Sequence, residues 1–395
     1  MKSYFFLTIF ALAAISTFAQ EEQNPIDTVY RFKNVVDLKA TPVKDQYKSG
    51  TCWAFSGISF IESELIRMGK GEFDLSEMFI VNRDYHVRAI DYVRWNGAKS
   101  FSAGAEGCNV FSRIREWGIV PQEAYEGLNY GTTKHVNSEL DDVLKSYVST
   151  IIRNPNGKLS TAWLKGFDGI LDAYLGEIPS SFEYNGKEYT PISFRDYLGI
   201  NLNDYIEITS LSHHPLYSRF IIEVPDNWEL GQVYNVTMEE MAEIAFNSLD
   251  KGYTVLWGGD VSENGFSWAK GLAIVPDDNV VDMKGTDRAR FKQAGTTDNN
   301  EANEQKPAIE KTITAEMRQE AFDNFETTDD HGMHLTGYAT DVNGTRYFKV
   351  KNSWDSSNIY NGYLYMSENF FKYKTLTIIV HKNAIPSGIK KKLNL

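Results

Sequence analysis

Cys52 is the residue in this chain best placed to do chemistry. It follows Ser49, Gly50 and Thr51, and an apolar helical pattern begins beside it. In the first turn of a helix, unpaired backbone N–H groups and the helix dipole stabilise a thiolate and lower its pKa. Such a thiolate needs a proton acceptor that can stay close as an imidazolium. Among seven histidines, His331 is the best candidate, because Gly332 follows it at the mouth of a strand. Asn352, on the next hairpin, could orient the ring by accepting from its second nitrogen. Trp354 could shield that pair from water. Gln46 precedes Cys52 by six residues, so its side-chain amide and the Cys52 backbone N–H could form an oxyanion hole for a tetrahedral intermediate.

Each of these residues also has a plainer reading. A lone helical cysteine is more often a buried small hydrophobe, and only the company of Gln46, His331 and Asn352 argues for catalysis. His331 and His334 could pair with Asp329 and Asp330 around a metal. Three residues apart on a strand, however, their side chains point to opposite faces, and the zinc-protease pattern needs helical spacing with a glutamate, so no metal is expected. His213 and His214, beside Pro215, read as loop. Asp260 could help shape a substrate-binding cleft, although a capping or ion-paired aspartate is the simpler account. Cys108 has no cysteine partner except Cys52 and reads as a free, buried thiol. Asn235 and Asn343 carry the glycosylation acceptor pattern, but a turn explains Asn343 better.

Several elements must position these groups. Trp53, Ala54, Phe55, Ile58, Phe60, Ile61, Leu65 and Ile66 recur at helical spacings until Gly69 and Gly71, predicting a long buried helix. Leu75, Ser76, Glu77 starts a second, and Val110 to Trp117 reads as a third, ended by Gly118 and Pro121. Tyr125 to Val236 mixes helix signals (Leu140 to Ile152, Thr161 to Leu175) with a hairpin signal at Asn185, Gly186, which suggests an inserted module. The stretch 277–310 is polar and reads as a loop. Strand patterns follow at His334 to Val342 and Thr345 to Lys351, flanking an Asn343, Gly344 turn, then at Gly362 to Met366 and Thr375 to Val380. Helices first and an antiparallel sheet later argue for an α+β fold with a cleft between the halves.

Composition narrows the function classes. A chain of 395 residues that is 42% hydrophobic and 13% aromatic is not disordered and can build a large core. A net charge of −13 argues against a non-specific nucleic-acid binder. Two cysteines cannot make a disulfide framework or a four-cysteine zinc site. Lys2, the apolar run Tyr4 to Phe18 and the small-x-small site Thr17, Phe18, Ala19 before Gln20 read as a signal peptide over 1–19, implying a secreted or periplasmic protein with no membrane span after cleavage.

The segment from Gln46 through Ser49, Gly50, Thr51, Cys52, Trp53, Ala54 to Phe55 resembles the nucleophile segment of papain-like cysteine peptidases. Leu75, Ser76, Glu77 resembles the start of that family's second helix; His331 with Gly337, Tyr338 its histidine strand; Asn352, Ser353, Trp354 its asparagine motif. All four occur in the family order. Gly50, Thr51, the insertion with Thr190, Pro191, Ile192, Ser193, Phe194, and Tyr234, Asn235, Val236 leading to Trp257, Gly258, Gly259, Asp260, Val261 are similar to the bleomycin hydrolase and aminopeptidase C branch. The resemblance spans nearly the whole mature chain. It implies a two-lobed fold, helical lobe against sheet or barrel lobe, over 20–395, with a mostly helical insertion at about 125–236. It also implies thiol-dependent peptide hydrolysis without a cofactor, with Cys52 as nucleophile, His331 as base and then acid, Asn352 as orienter and Gln46 as oxyanion donor.

Three departures stand out. Asp355 replaces the glycine usual after the tryptophan. The branch is mostly intracellular and hexameric, so neither compartment nor homo-oligomeric state carries over. The chain ends in a basic tail, Lys390 to Lys392, lacking the longer terminal segment that in the branch enters the cleft and restricts cleavage to N-terminal residues. Peptides are the expected partners. Aminopeptidase action is expected first, with endopeptidase action or a non-catalytic binding scaffold as alternatives.

Overall fold

The computed structural model describes residues 29–154, 157–277 and 306–395. The expected signal peptide and all but the two ends of the polar loop lie outside the described residues.

The first long helix, α1 (Cys52–Arg67), is buried almost throughout. Its apolar residues surround the axis, which is the pattern of a central helix and not of a surface one. α2 (Glu77–Arg94) starts where expected, with Ser76 Oγ accepting from Phe79 N at 3.0 Å as N-cap. α3 (Gly107–Trp117) stops at Gly118, whose φ of 82° and approach to the Pro191 carbonyl leave no room for a Cβ. α4 (Ser138–Ile152), α5 (Trp163–Leu175) and α6 (Pro191–Leu198) pack on these helices in one apolar cluster. The Asn185, Gly186 hairpin forms as expected, with φ of 51° and 74° between Phe182–Tyr184 and Lys187–Tyr189.

The other half is a sheet of eleven strands among the described residues. In chain order the strands are β1 (Lys33–Asp37), the hairpin pair β2 (Phe182–Tyr184) and β3 (Lys187–Tyr189), then β4 (Tyr205–Thr209), β5 (Arg219–Ile221), β6 (Gln232–Asn235), β7 (Val255–Gly259), β8 (Phe266–Ser267), β9 (Leu272–Ala273), β10 (His331–Thr340), β11 (Arg346–Lys351), β12 (Tyr363–Ser367) and β13 (Thr375–His381). The centre of the sheet holds β13, β7, β10, β11 and β12, all antiparallel to their neighbours in this group. Alternation along the strands divides the core. Leu256 and Ile379 face the helical cluster, while Val255, Trp257, Ile378 and Val380 face a second cluster under α7 (Met238–Asp250), α8 (Ala315–Asp323) and α9 (Glu368–Lys374). The sheet is therefore covered on both faces, and the architecture is α+β, a helical half against a sheet half.

One stretch gains detail and one expectation changes. Of the stretch read as an inserted module, 125–204 packs on the helices, but Tyr205–Thr209, Arg219–Ile221 and Gln232–Asn235 are strands of the main sheet, where parallel pairing of the first with the third escapes the hairpin signal. Asn343, Gly344 is not a two-residue turn, because only Gly344 has positive φ. Asp341 accepts from Asn343 N and Thr345 N through Oδ1, closing a longer loop with a side chain in place of a tight backbone turn. The Asn235 acceptor pattern is buried, its amide bonded to Leu211, His214 and Pro215 carbonyls, so it is part of the core and not a modification site.

Candidate active site

Cys52 opens α1 directly after Thr51, and the turn before it requires Gly50, at φ 68° against the Ala103 side chain. Trp53 Nε1 donates to the Ala103 carbonyl at 2.9 Å, pinning this turn to the segment ahead of α3. His331 is the first residue of β10 and Asn352 the first after β11. The two strands are antiparallel, with His334 opposite Lys351, so the register brings the ring and the amide together. His331 Nε2 lies 2.8 Å from Asn352 Oδ1. The same oxygen accepts from Ser353 N at 2.8 Å, which identifies it as the carbonyl end of the amide. Nε2 therefore carries a proton, and Nδ1 is the nitrogen able to take one from a thiol.

β10 lies directly over the start of α1. A Cβ on Gly332 would come 3.3 Å from Trp53 Cα and 2.8 Å from Ser56 Oγ. Cys52 and His331 consequently line one cavity, together with Glu106, Asp226, Trp257 and Asp329. Trp354 is buried with its ring centroid 4.6 Å from that of His331, braced by Phe266 and Trp268.

Gln46 is fully buried. Its backbone N donates to the Ser353 carbonyl at 2.9 Å and its Oε1 accepts from Ser353 Oγ at 2.6 Å, while Nε2 has no hydrogen-bond partner. An orphaned buried donor is costly unless something will bind it. Asp355, in the place of the expected glycine, adopts φ 71° and stabilises that conformation by accepting from Ser357 N at 2.7 Å, as short polar side chains can. The asparagine loop thus forms despite the substitution.

Asp260 is the residue the structure does not bring into this cavity. It is fully buried, with Oδ1 on Ser262 and Oδ2 on Thr328, so it braces the strand that delivers Asp329, Asp330 and His331. His334 points away from His331 and accepts or donates to Ser59 Oγ at 3.0 Å; burial, then the nearby Lys351 charge, push its pKa well down. Behind the site, Lys44 binds Glu77 at 2.7 Å and reaches Glu62 at 3.5 Å, giving the Leu75, Ser76, Glu77 motif a structural job. Cys108 is free and half-buried, its thiol pushed up by burial and by Glu207 and Glu106.

Two family models match the chain: papain family cysteine protease over residues 31–147 and the peptidase C1-like family over 277–395. The first match contains Gln46 and Cys52, the second His331 and Asn352. The chain is a papain-like cysteine peptidase. This peptidase is 24% identical over 385 residues to aminopeptidase G of Lactobacillus delbrueckii subsp. lactis, covering 88% of this chain and 82% of that one. Aminopeptidase C of the same organism is 23% identical over 415 residues, covering 94% and 86%. Its fold matches the crystal structure of PepW from Lactobacillus rhamnosis HN001, with a TM-score of 0.66 at 20% identity over 92% of this chain and 84% of the other. These similarities place the peptidase in the aminopeptidase C branch of the family, related to bleomycin hydrolase.

Proposed function

We propose that this peptidase is an exported enzyme that removes residues from the N-termini of peptides through an acyl-enzyme intermediate. Cys52 is the nucleophile. His331 takes its proton at Nδ1, and the thiolate attacks the scissile carbonyl. The tetrahedral oxyanion is held by Gln46 Nε2 and the Cys52 backbone N–H; His331 then protonates the leaving amine. Water, deprotonated by the same imidazole, hydrolyses the thioester. Asn352 keeps the ring in the tautomer that this sequence requires.

The observation that carries the reading is the His331 to Asn352 bond of 2.8 Å at the edge of a cavity shared with Cys52. The aminopeptidase activity rests on the names of the relatives, and export on the residues Lys2 to Ala19. Hydrolysis of unblocked and N-acetylated peptide libraries under reducing conditions tests the first. Preferential cleavage of unblocked peptides is expected; equal cleavage of both would remove the aminopeptidase reading. Cys52→Ala should lower turnover by about four orders of magnitude or more and abolish iodoacetamide labelling at that position. Retained hydrolysis in that variant would overturn the nucleophile assignment. A secreted form beginning at Gln20, read by mass spectrometry, tests export.

A further inference from the structure

Beside the nucleophile the cavity is acidic. Glu106 precedes α3 but makes no capping bond to it. Its side chain lines the cavity instead, 95% buried, with Oε1 lacking any hydrogen-bond partner. Asp329, two residues before His331, lines the same space and leaves Oδ2 equally unpartnered. Asp226 forms a third wall, 3.9 Å from Arg88, whose remaining N–H groups are spent on the Ser100, Ser102 and Gly104 carbonyls. Asp330 also borders the space, and Glu207 lies close enough to act on Glu106 and Asp329.

Carboxylates crowded out of water cost free energy unless a cation joins them. Burial, followed by the mutual repulsion of these acids, raises the pKa of Glu106 well above the carboxylate range and that of Asp329 to about 8. Glu106 and Asp329 hydrogen-bond each other, and the charges acting most strongly on them are those of further acids, Asp226 and Glu207. A metal ion is the wrong filler. Among the described residues, the one group of three ligand atoms within 4.8 Å of one another is His213, His214 and Glu223, elsewhere in the fold. Glycine creates part of the space: a Cβ at Gly104 would collide with the Asp226 carboxylate.

We propose that the cavity walled by Glu106 and Asp329 is a subsite for a primary ammonium group on the acyl side of the cleaved bond, either the substrate's α-amine or a lysine side chain. The inference rests on the peptidase reading for the word substrate. The cavity adjoins Cys52 and His331, so an ammonium bound there sits within one or two residues of the attacked carbonyl. Such recognition would give selectivity for cationic acyl groups by leaving the crowded acids without a cation whenever the substrate lacks one.

The test compares three reporters in the wild-type mature protein, in Glu106→Gln and in Asp329→Asn. One carries a neutral residue with a free α-amine, one is N-acetylated with lysine before the residue at the cleaved bond, and one is N-acetylated with norleucine in that place. The expected result is a preference of about ten- to a hundredfold in kcat/KM for one or both cationic reporters over the third. That preference should collapse in each variant, mainly through KM. Which cationic reporter is preferred identifies the source of the ammonium. A preference retained by both variants, or an equal loss on all three reporters, overturns the subsite. Protection of Cys52 from iodoacetamide by lysine amide, with N-acetylnorleucine amide as the neutral control, reads binding in the wild-type protein without turnover. Protection without hydrolysis would sink the peptidase reading and keep the subsite, hydrolysis without protection or preference would do the reverse, and neither would sink both.

Discussion

At the scale of single residues, the site depends on polar groups left deliberately unsatisfied. Gln46 Nε2 is buried without a partner because Ser353 holds the other end of the amide. Gln46→Ala should lower kcat by about 10²- to 10³-fold with a much smaller change in KM, as expected when a donor acts on charge that appears only in the transition state. Ser353→Ala should cost less, since the amide remains but can swing; steady-state kinetics on one reporter decide both. The acids at Glu106 and Asp329 make a different prediction, about stability. Below about pH 3 these groups are protonated in folded and unfolded chains alike. As pH rises towards 8 the unfolded chain releases protons that the folded one keeps, because Asp329 is raised to about 8 and Glu106 well above its ordinary value. Stability contributed by this pair is therefore lost across that window. Glu207 and Glu77, each raised to about 7 by burial, add in the same direction. Glu106→Gln should be more stable than the parent at pH 8 and show a shallower decline between pH 5 and 8 in thermal melts; parallel declines would refute the assignment. Gln46, Cys52, His331 and Asn352 were legible in the sequence because each sits in a short motif with a local meaning. Glu106 and Asp329 were not, because an acid ahead of a helix or a strand is ordinary until the chain brings the two together.

At the scale of elements, the decisive contact is between the first turn of α1 and the mouth of β10. Gly332 permits it by presenting no Cβ to Trp53 and Ser56. Gly332→Ala should push strand and helix apart by a fraction of an ångström and lower kcat by about 10²-fold, since small misplacements of reacting groups are costly. The fold should survive, and near-native circular dichroism with full turnover would show that the contact does not matter. The long helices were legible because apolar periodicity runs unbroken from Trp53 to Ile66 and again along α4 and α5. The turn at Asn343 was misread because the Asp341 carboxylate, not the dipeptide, closes the loop. The strands between Tyr205 and Asn235 escaped notice because they are short and partly parallel, and their partners lie elsewhere in the chain.

At the scale of the whole molecule, two apolar clusters meet through the central sheet, and Leu256 and Ile379 join that sheet to the helices. Leu256 also lines the cavity with Cys52 and His331. Leu256→Ala should cost about 2–5 kcal/mol in denaturant unfolding, by the loss of buried surface and the space left behind. A cost below about 1 kcal/mol would mean that the two halves do not depend on this junction. No helix among the described residues is long and apolar enough to cross a membrane, and neither Cys52 nor Cys108 is in a disulfide. By itself the sequence determined the identities of the catalytic candidates, the helical half and the α+β class, because motif spacing and periodicity are properties of neighbouring residues. Only the tertiary structure decided which side chains share a space: that Ser353 holds Gln46, that Asp260 is a brace, and that acids from residues 106, 226 and 329 converge beside Cys52. The reason is physical. Burial and desolvation depend on distances between segments hundreds of residues apart, and no local pattern carries them.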